Sequence, residues 1–303
     1  MIGEKPTEWY LRRKQGIGGS DAAAVLGESR WKTPYEVYLD KTGEGEREEK
    51  EDSDGDVNLY MKIGTALEPM IREEYTRMTG REVTVPPWKQ SEEIPYICGN
   101  IDGLADDRIV EIKTARTEWE QVPVEYYLQV QHYLMLYGLQ KADIIACFLL
   151  NNNIRIYEIE ANPEIQEYMK KIYAGFWNRV LTKNPPDPMT LGDLRKRFPI
   201  DNGDSIELSE KALEHIKEIS KIKKEIADLE AVLYDNERIV KTELGENQIG
   251  VDGNGVVVVT WKTTKGRDMV DSSRLKSAYP SIYQEVIKTT KPSRTFRIKE
   301  LNK

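Results

Sequence analysis

Asp102 and the run Glu111-Ile112-Lys113 are the residues of this chain best suited to do chemistry. On two consecutive arms of a hairpin, two carboxylates and an ammonium group converge, because Glu111 and Lys113 point to the same face of one strand. Oxygen donors of this kind suit a hard cation such as Mg²⁺, which keeps several waters and favours phosphate. A cation so held lowers the pKa of a water and stabilises charge on a transferring phosphoryl group. A lysine beside it orients that water or offsets developing charge. Glu68 on the preceding helix adds a carboxylate, and Gln129 on the following helix adds an amide for a water or a phosphate oxygen. A lone Glu-x-Lys on a surface strand is ordinarily an ion pair and nothing more. Here Val110 and Ile112 make the other face of the strand apolar, and the flanking helices bring Glu68 and Gln129 in order, so metal-assisted phosphodiester hydrolysis is the better reading.

The rest of the composition narrows the choice. At 303 residues, 39% hydrophobic and 32% charged, the chain is globular and long enough to divide into two units. No run of 18 apolar residues crosses a membrane, and the N-terminus lacks the apolar stretch of a signal peptide, so a cytoplasmic protein with no membrane partner is expected. Cys98 and Cys147 are too few for a four-cysteine zinc or iron–sulfur site and read as core thiols. His132 reads as structural, His215 as a surface residue, and Trp31, Trp119 and Trp177 as core or rim. Net charge is −8, but residues 44–56 hold eight acids and two bases, which reads as a solvated acidic insertion. Arg274 to Lys303 carries eight bases and two acids. The overall acidity therefore does not exclude a polyanion.

The elements that must position the chemistry follow from periodicity and capping signals. After the basic Arg12-Arg13-Lys14, the turn Gly16-Ile17-Gly18-Gly19-Ser20-Asp21 leads into a helix over 22–26, with Ser20 or Asp21 as its cap. Such a turn is a flexible lead-in, or an anion site made of backbone N–H groups. A helix ends at Gly80, and Pro69 places its start near Ala66, since proline fits a first turn. Glu82 to Val85 reads as a short strand. Tyr96–Asp102 and Arg108–Thr114 form a hairpin about Ala105-Asp106-Asp107. A helix over 123–139 carries Gln129 and Tyr133 on one face. Strands at 144–150 and 154–159, a helix at 163–182 and a proline-rich linker at 184–188 complete an α/β core, residues 1–188, with a mixed central sheet flanked by helices. Residues 189–303 form a C-terminal accessory region. Ser209 caps a long helix with Leu208 and Leu213 as its staple. Leu213, Ile216, Ile219, Ile222, Ile226, Leu229 and Leu233 make an apolar stripe that must dock on a helix or on the strands that follow. A hairpin pairs 247–251 with 255–262, and a last helix over 272–288 precedes the basic tail.

Asp102…Glu111-Ile112-Lys113, in a helix–strand–hairpin–helix order, resembles the PD-(D/E)XK nuclease superfamily, with Ile101 where the proline of the motif stands. Arg13…Gly16-Ile17-Gly18-Gly19-Ser20-Asp21, Gly64-Thr65-Ala66-Leu67-Glu68, Gly103 and Gln129-Val130-Gln131-His132-Tyr133 make residues 8–180 similar to the YqaJ-type phage recombination exonucleases, relatives of phage lambda exonuclease. The resemblance is weaker beyond 190, where only Ser293-Arg294-Thr295-Phe296-Arg297 looks similar to endings of longer members. It implies that Asp102, Glu111 and the Ile112 carbonyl bind Mg²⁺, with Mn²⁺ expected to substitute and two ions expected. Lys113 would assist the water, Glu68 would support the metals, and Gln129 would position lysine or water. Arg13 and Ser20 would hold a 5′-terminal phosphate. The implied activity is 5′→3′ digestion of one strand of linear double-stranded DNA, leaving a 3′ single strand for an annealing protein. Homo-oligomers, trimers among them, occur in such relatives. A structure- or sequence-specific endonuclease on the same core, or a non-catalytic DNA-binding or assembly module, is the alternative.

Overall fold

Short helices separated by tight turns open the chain, because Gly18, Thr33 and Pro34 each mark a helix start. The computed structural model describes residues 7–44, 59–288, 290 and 292–299. The acidic insertion beyond Glu44 lies outside them, as does Lys291 of the basic tail. In order come α1 (Thr7–Lys14), α2 (Gly19–Val25), α3 (Pro34–Thr42), α4 (Leu59–Thr79), β1 (Lys89–Gln90), β2 (Cys98–Gly99), β3 (Gly103–Ala105), β4 (Arg108–Ala115), α5 (Val124–Tyr137), β5 (Lys141–Phe148), β6 (Asn153–Glu160), α6 (Pro163–Leu181) and α7 (Leu191–Arg197). Beyond these lie α8 (Glu210–Leu244), β7 (Ile249–Val251), β8 (Val257–Thr260), α9 (Ser272–Ala278) and α10 (Pro280–Val286). The chain divides into two units, 1–197 and 198–303. Helix α7 stays with the first unit because buried Asp193 accepts from Thr33 Oγ1 at 2.9 Å and Lys196 pairs with Glu36 at 2.7 Å.

The first unit is built on the expected mixed sheet, in the order β3-β4-β5-β6. β3–β4 and β5–β6 are antiparallel, while β4 and β5 run parallel from Arg108↔Lys141 to Ala115↔Phe148. A parallel step needs a crossover, and α5 supplies it. The alternation read along β4 holds. Val110 and Ile112 pack with Ile71 and Tyr75 of α4, whereas Ile109 packs with Val130, Tyr133 and Leu134 of α5. The two helices therefore pack against opposite faces of the sheet, and each buries its own apolar stripe. A buried polar staple joins β4, β5 and α4: Arg108 Nη1 reaches Asp143 at 2.9 Å, and Tyr75 Oη donates to Asp143 at 2.6 Å.

Several expected elements differ. Helix α2 begins at Gly19, not at Ala22, because Asp21 lies inside its first turn and reaches back to accept from the Gly18 N–H at 3.3 Å. Helix α4 begins at Leu59, well before Ala66, and carries Pro69 in its interior, where the ring denies the Thr65 carbonyl its amide donor. The strand at 82–85 is reduced to one bridge, Thr84↔Leu104. The first arm of the hairpin is Gly103–Ala105 rather than Tyr96–Asp102. The Asp102 carboxylate accepts from the Ile112 N–H at 2.8 Å, so a side chain takes the donor that a longer strand would have used. Asp106 turns the hairpin in the left-handed region, with φ 51.

In the second unit Ser209 caps α8 as expected, accepting from the Ala212 N–H. The apolar stripe, however, does not dock within this unit. Of α8 only Leu244 is buried, and Leu229 is 69% exposed. The reason is supply: the hairpin β7–β8 meets the last turn of α8, where Gly250 packs on Leu244. The expected single helix over 272–288 is two, α9 and α10, because Pro280 cannot continue a helix and Tyr279 before it leaves helical geometry at φ −135.

Candidate active site

Strand β4 and helix α5 bring three of the expected residues into direct contact. Glu111 is 2% exposed, and its Oε1 accepts from Lys113 Nζ at 2.5 Å and from Gln129 Nε2 at 2.7 Å. Its other oxygen, Oε2, is buried with no hydrogen-bond partner. Asp102 stands at the end of the neighbouring arm, half-buried and tied to β4 through the Ile112 N–H. Arg72 of α4 fixes the same corner by donating to the Asp102 carbonyl at 3.1 Å. Glu68, one turn before Arg72, is half-buried and close enough to act on the charge of Glu111.

The electrostatics of Glu111 and Lys113 are coupled. Burial, then the carboxylates of Asp102 and Glu68, push Glu111 up to about 8, against the pull of Lys113. Burial lowers Lys113, but Glu111 and Asp102 more than offset this and raise it. Burial is thus the larger cause for Glu111, and the mutual influence of Glu111, Asp102 and Lys113 sets the direction for the lysine. A buried carboxylate oxygen without a partner costs roughly 1–3 kcal/mol or more unless something satisfies it.

Among the described residues no three histidine, cysteine or acidic groups form a closed metal cage. Mg²⁺ does not require one, since it is commonly held by one or two carboxylates with waters filling the remaining positions. The orphaned Glu111 Oε2 and the second carboxylate at Asp102 therefore fit a divalent cation, with the Ile112 carbonyl as a further oxygen donor.

Arg13 and Ser20 occupy a separate place on α1 and α2. Arg13 Nη2 is held by Asp21 Oδ1 at 3.0 Å, and its Nε reaches Asp40 at 3.4 Å. Asp21 is 1% exposed and also receives Lys41 Nζ at 2.6 Å, while Lys41 donates to the Arg13 carbonyl at 2.8 Å. Lys32 is close enough to feel Asp21 and Arg13, and burial lowers its pKa. Arg13, Lys41 and Lys32 thus gather about Asp21, and Ser20 of the same turn is exposed. The turn reaches the carboxylate cluster through Tyr133. A Cβ at Gly19 would lie 2.3 Å from the Tyr133 ring, so only glycine fits there. Tyr133 Oη in turn lies 3.4 Å from Gln129 Nε2.

Sequence reasoning missed Asp21, Lys41, Arg72 and Tyr126. Asp21 was legible only as a cap. The i,i+4 spacing of Glu68 and Arg72 was a usable signal for a shared face. Nothing in the spacing marked Lys41 as a buried partner. Tyr126 lies under Lys113 Nζ, 5.0 Å from the ring centre. His132 is structural as expected. It is buried, with Nε2 on the Cys98 carbonyl at 3.0 Å and Nδ1 on Tyr173 Oη at 3.2 Å, and burial pushes it down to about 4. His215 is exposed, Trp31 is a rim residue, and Cys98 is buried whereas Cys147 is only half-buried. Among the described residues no helix is long and apolar enough to cross a membrane.

Residues 8–140 match the YqaJ-like viral recombinase domain. The uncharacterized protein YqaJ of Bacillus subtilis (strain 168) is 31% identical over 311 residues, covering 97% of this chain and 94% of that protein. The chain belongs to the YqaJ-like viral recombinase family. Among solved structures it is similar to an alkaline exonuclease, LHK-Exo, from Laribacter hongkongensis, at 20% identity and a TM-score of 0.49 over 59% of this chain and 94% of that one. A phage related exonuclease from Haemophilus somnus 129PT matches at 14% identity and a TM-score of 0.42 over 55% of this chain and 96% of that one.

Proposed function

We propose that this recombinase-family chain is a Mg²⁺-dependent exonuclease that removes one strand of linear double-stranded DNA from its 5′ end. The product is a 3′ single strand suited to an annealing protein. The observation that carries the reading is the buried, partnerless Glu111 Oε2 beside Asp102, Lys113 and Gln129. Asp102, Glu111 and the Ile112 carbonyl would hold the ion, and Glu68 would support it through waters. Once bound, a divalent cation lowers the pKa of a water and stabilises charge on the phosphoryl group.

The remaining work falls to the chain itself. Lys113, pinned between Glu111 Oε1 and the Tyr126 ring, is fixed where it can orient the attacking water and offset charge on a phosphate oxygen. Gln129 grips the same Glu111 oxygen from α5, so the carboxylate cannot rotate away from its task. Arg13, steered by Asp21, and Ser20 would bind the 5′-terminal phosphate, with Lys32 adding charge. A terminal phosphate held there would set the polarity of digestion, because it would decide which linkage meets Glu111.

The test is digestion of a linear duplex labelled separately at each 5′ and 3′ end, beside the same sequence as a covalently closed circle, with Mg²⁺ or Mn²⁺. Early release of the 5′ label with an intact circle is expected. Cutting of the circle instead would make the core an endonuclease.

A further inference from the structure

We propose that Trp31, with the Arg30 guanidinium stacked on it, is the platform for the base of the 5′-terminal nucleotide. This rests on the nuclease reading above. Trp31 touches the carboxylate half of the site and is next in sequence to a lysine of the other half. On one side its ring packs at 5.9 Å against Tyr126, the ring that carries Lys113 Nζ at 5.0 Å. On the other side, the next residue in the chain is Lys32, which shares the charge environment of Arg13 and Asp21. A nucleotide with its 5′ phosphate at Arg13 and its 3′ linkage at Lys113 would have its base within reach of this indole.

The platform is built rather than incidental. Trp31 is 55% exposed, so it is not a core residue. Its loop is nevertheless pinned. Ser29 Oγ accepts from the N–H groups of Trp31 and Lys32 at 3.2 and 3.3 Å, and Thr33 is tied to Asp193. Arg30 Cζ sits 4.7 Å from the Trp31 ring centre, and its Nε is held by Glu125 at 2.8 Å. Glu125 is only 9% exposed and anchors one end of the guanidinium, while the Arg30 side chain itself is 60% exposed. A rigid indole bordered by Arg30 and Lys32 suits a polyanion better than an apolar protein surface. Indole and guanidinium both stack on bases, and every base offers a π face, so the platform accepts any sequence.

The experiment compares a 5′-phosphorylated linear duplex with one that lacks only the base of its 5′-terminal nucleotide. Wild type, Trp31→Ala and Trp31→Phe are assayed with Mg²⁺. Wild type is expected to show a KM about ten-fold higher on the abasic end, with kcat little changed. Trp31→Ala raises KM about ten-fold on the normal duplex and shows no further rise on the abasic end. Trp31→Phe retains sensitivity to the missing base. A purely structural Trp31 would give additive losses, and additivity overturns the proposal. So does a wild-type enzyme indifferent to the abasic end, which requires no variant to fold. If wild type cuts neither duplex, the nuclease reading fails separately. Equilibrium binding of the same duplexes, followed by fluorescence anisotropy, then decides the platform by the same pattern.

Discussion

Replacing Asp21 with asparagine removes one charge from the buried cluster it forms with Lys41 and Arg13. Asp21 is 1% exposed and Lys41 is 0% exposed, with 2.6 Å between them. Burial raises the pKa of Asp21, but Lys41 and Arg13 outweigh it and hold the carboxylate well below its usual range. In Asp21→Asn the amide keeps the volume, while the Lys41 ammonium stays buried with the Arg13 carbonyl and without its charged partner. Breaking a buried pair from one side costs about 3–5 kcal/mol. For a unit of this size that lowers Tm by roughly 6–20 °C. Urea denaturation followed by circular dichroism measures it. The sign with pH also follows. The contribution of a depressed carboxylate is complete above about pH 4 and fades as pH falls through its folded value, so the gap between wild type and variant narrows in acid. Adding Lys41→Met removes the stranded charge and recovers part of the loss, because apolar replacement of a whole buried pair is often neutral. A single variant within about 1 kcal/mol of wild type, or a double variant weaker than the single, would refute the reasoning.

Lys113→Ala should lower kcat by roughly 10²–10³ while leaving the Mg²⁺ midpoint of a titration near its wild-type value, since the lysine acts at the reacting water; a loss fully restored by more Mg²⁺ contradicts this. Arg13→Ala should erase the preference for 5′-phosphorylated over 5′-hydroxyl ends in initial rates, and equal rates on both ends in wild type would reject the pocket. His132 stays neutral in the fold, since burial pushes it from 6.5 to about 4. The unfolded chain takes up that proton first, so stability should fall by about 3 kcal/mol as pH drops from 6.5 to 4. His132→Gln should flatten that limb of a denaturation series, and an unchanged slope would place the titration elsewhere.

The carboxylate cluster was legible because its geometry is local. Alternation along one strand puts Glu111 and Lys113 together, and a hairpin brings Asp102 alongside whether its first arm has three residues or seven. Gln129 was legible because a helix with Gln129 and Tyr133 on one face follows that strand. What stayed hidden depends on distant partners. Asp21 carries the signature of a cap and does reach the Gly18 N–H, but its burial against Lys41 across 20 residues has no local mark. Pro69 misplaced the start of α4, because tertiary packing of Ile71 and Tyr75 outweighs one lost backbone bond. The stripe on α8 shows the opposite limit: periodicity identified the helix and its apolar face, but not what covers that face.

The central claim is that Asp102, Glu111 and Lys113 hydrolyse phosphodiesters around a divalent cation. The most direct measurement is cleavage of a labelled linear duplex, with and without Mg²⁺, by wild type, Asp102→Asn and Glu111→Gln, each checked for DNA binding in EDTA. Wild type should cut only with the metal. Both variants should bind DNA within a few-fold of wild type, because affinity comes from many phosphate contacts, and should show no cleavage above background. Undiminished cleavage by either variant, or cleavage by wild type in EDTA, would contradict the account.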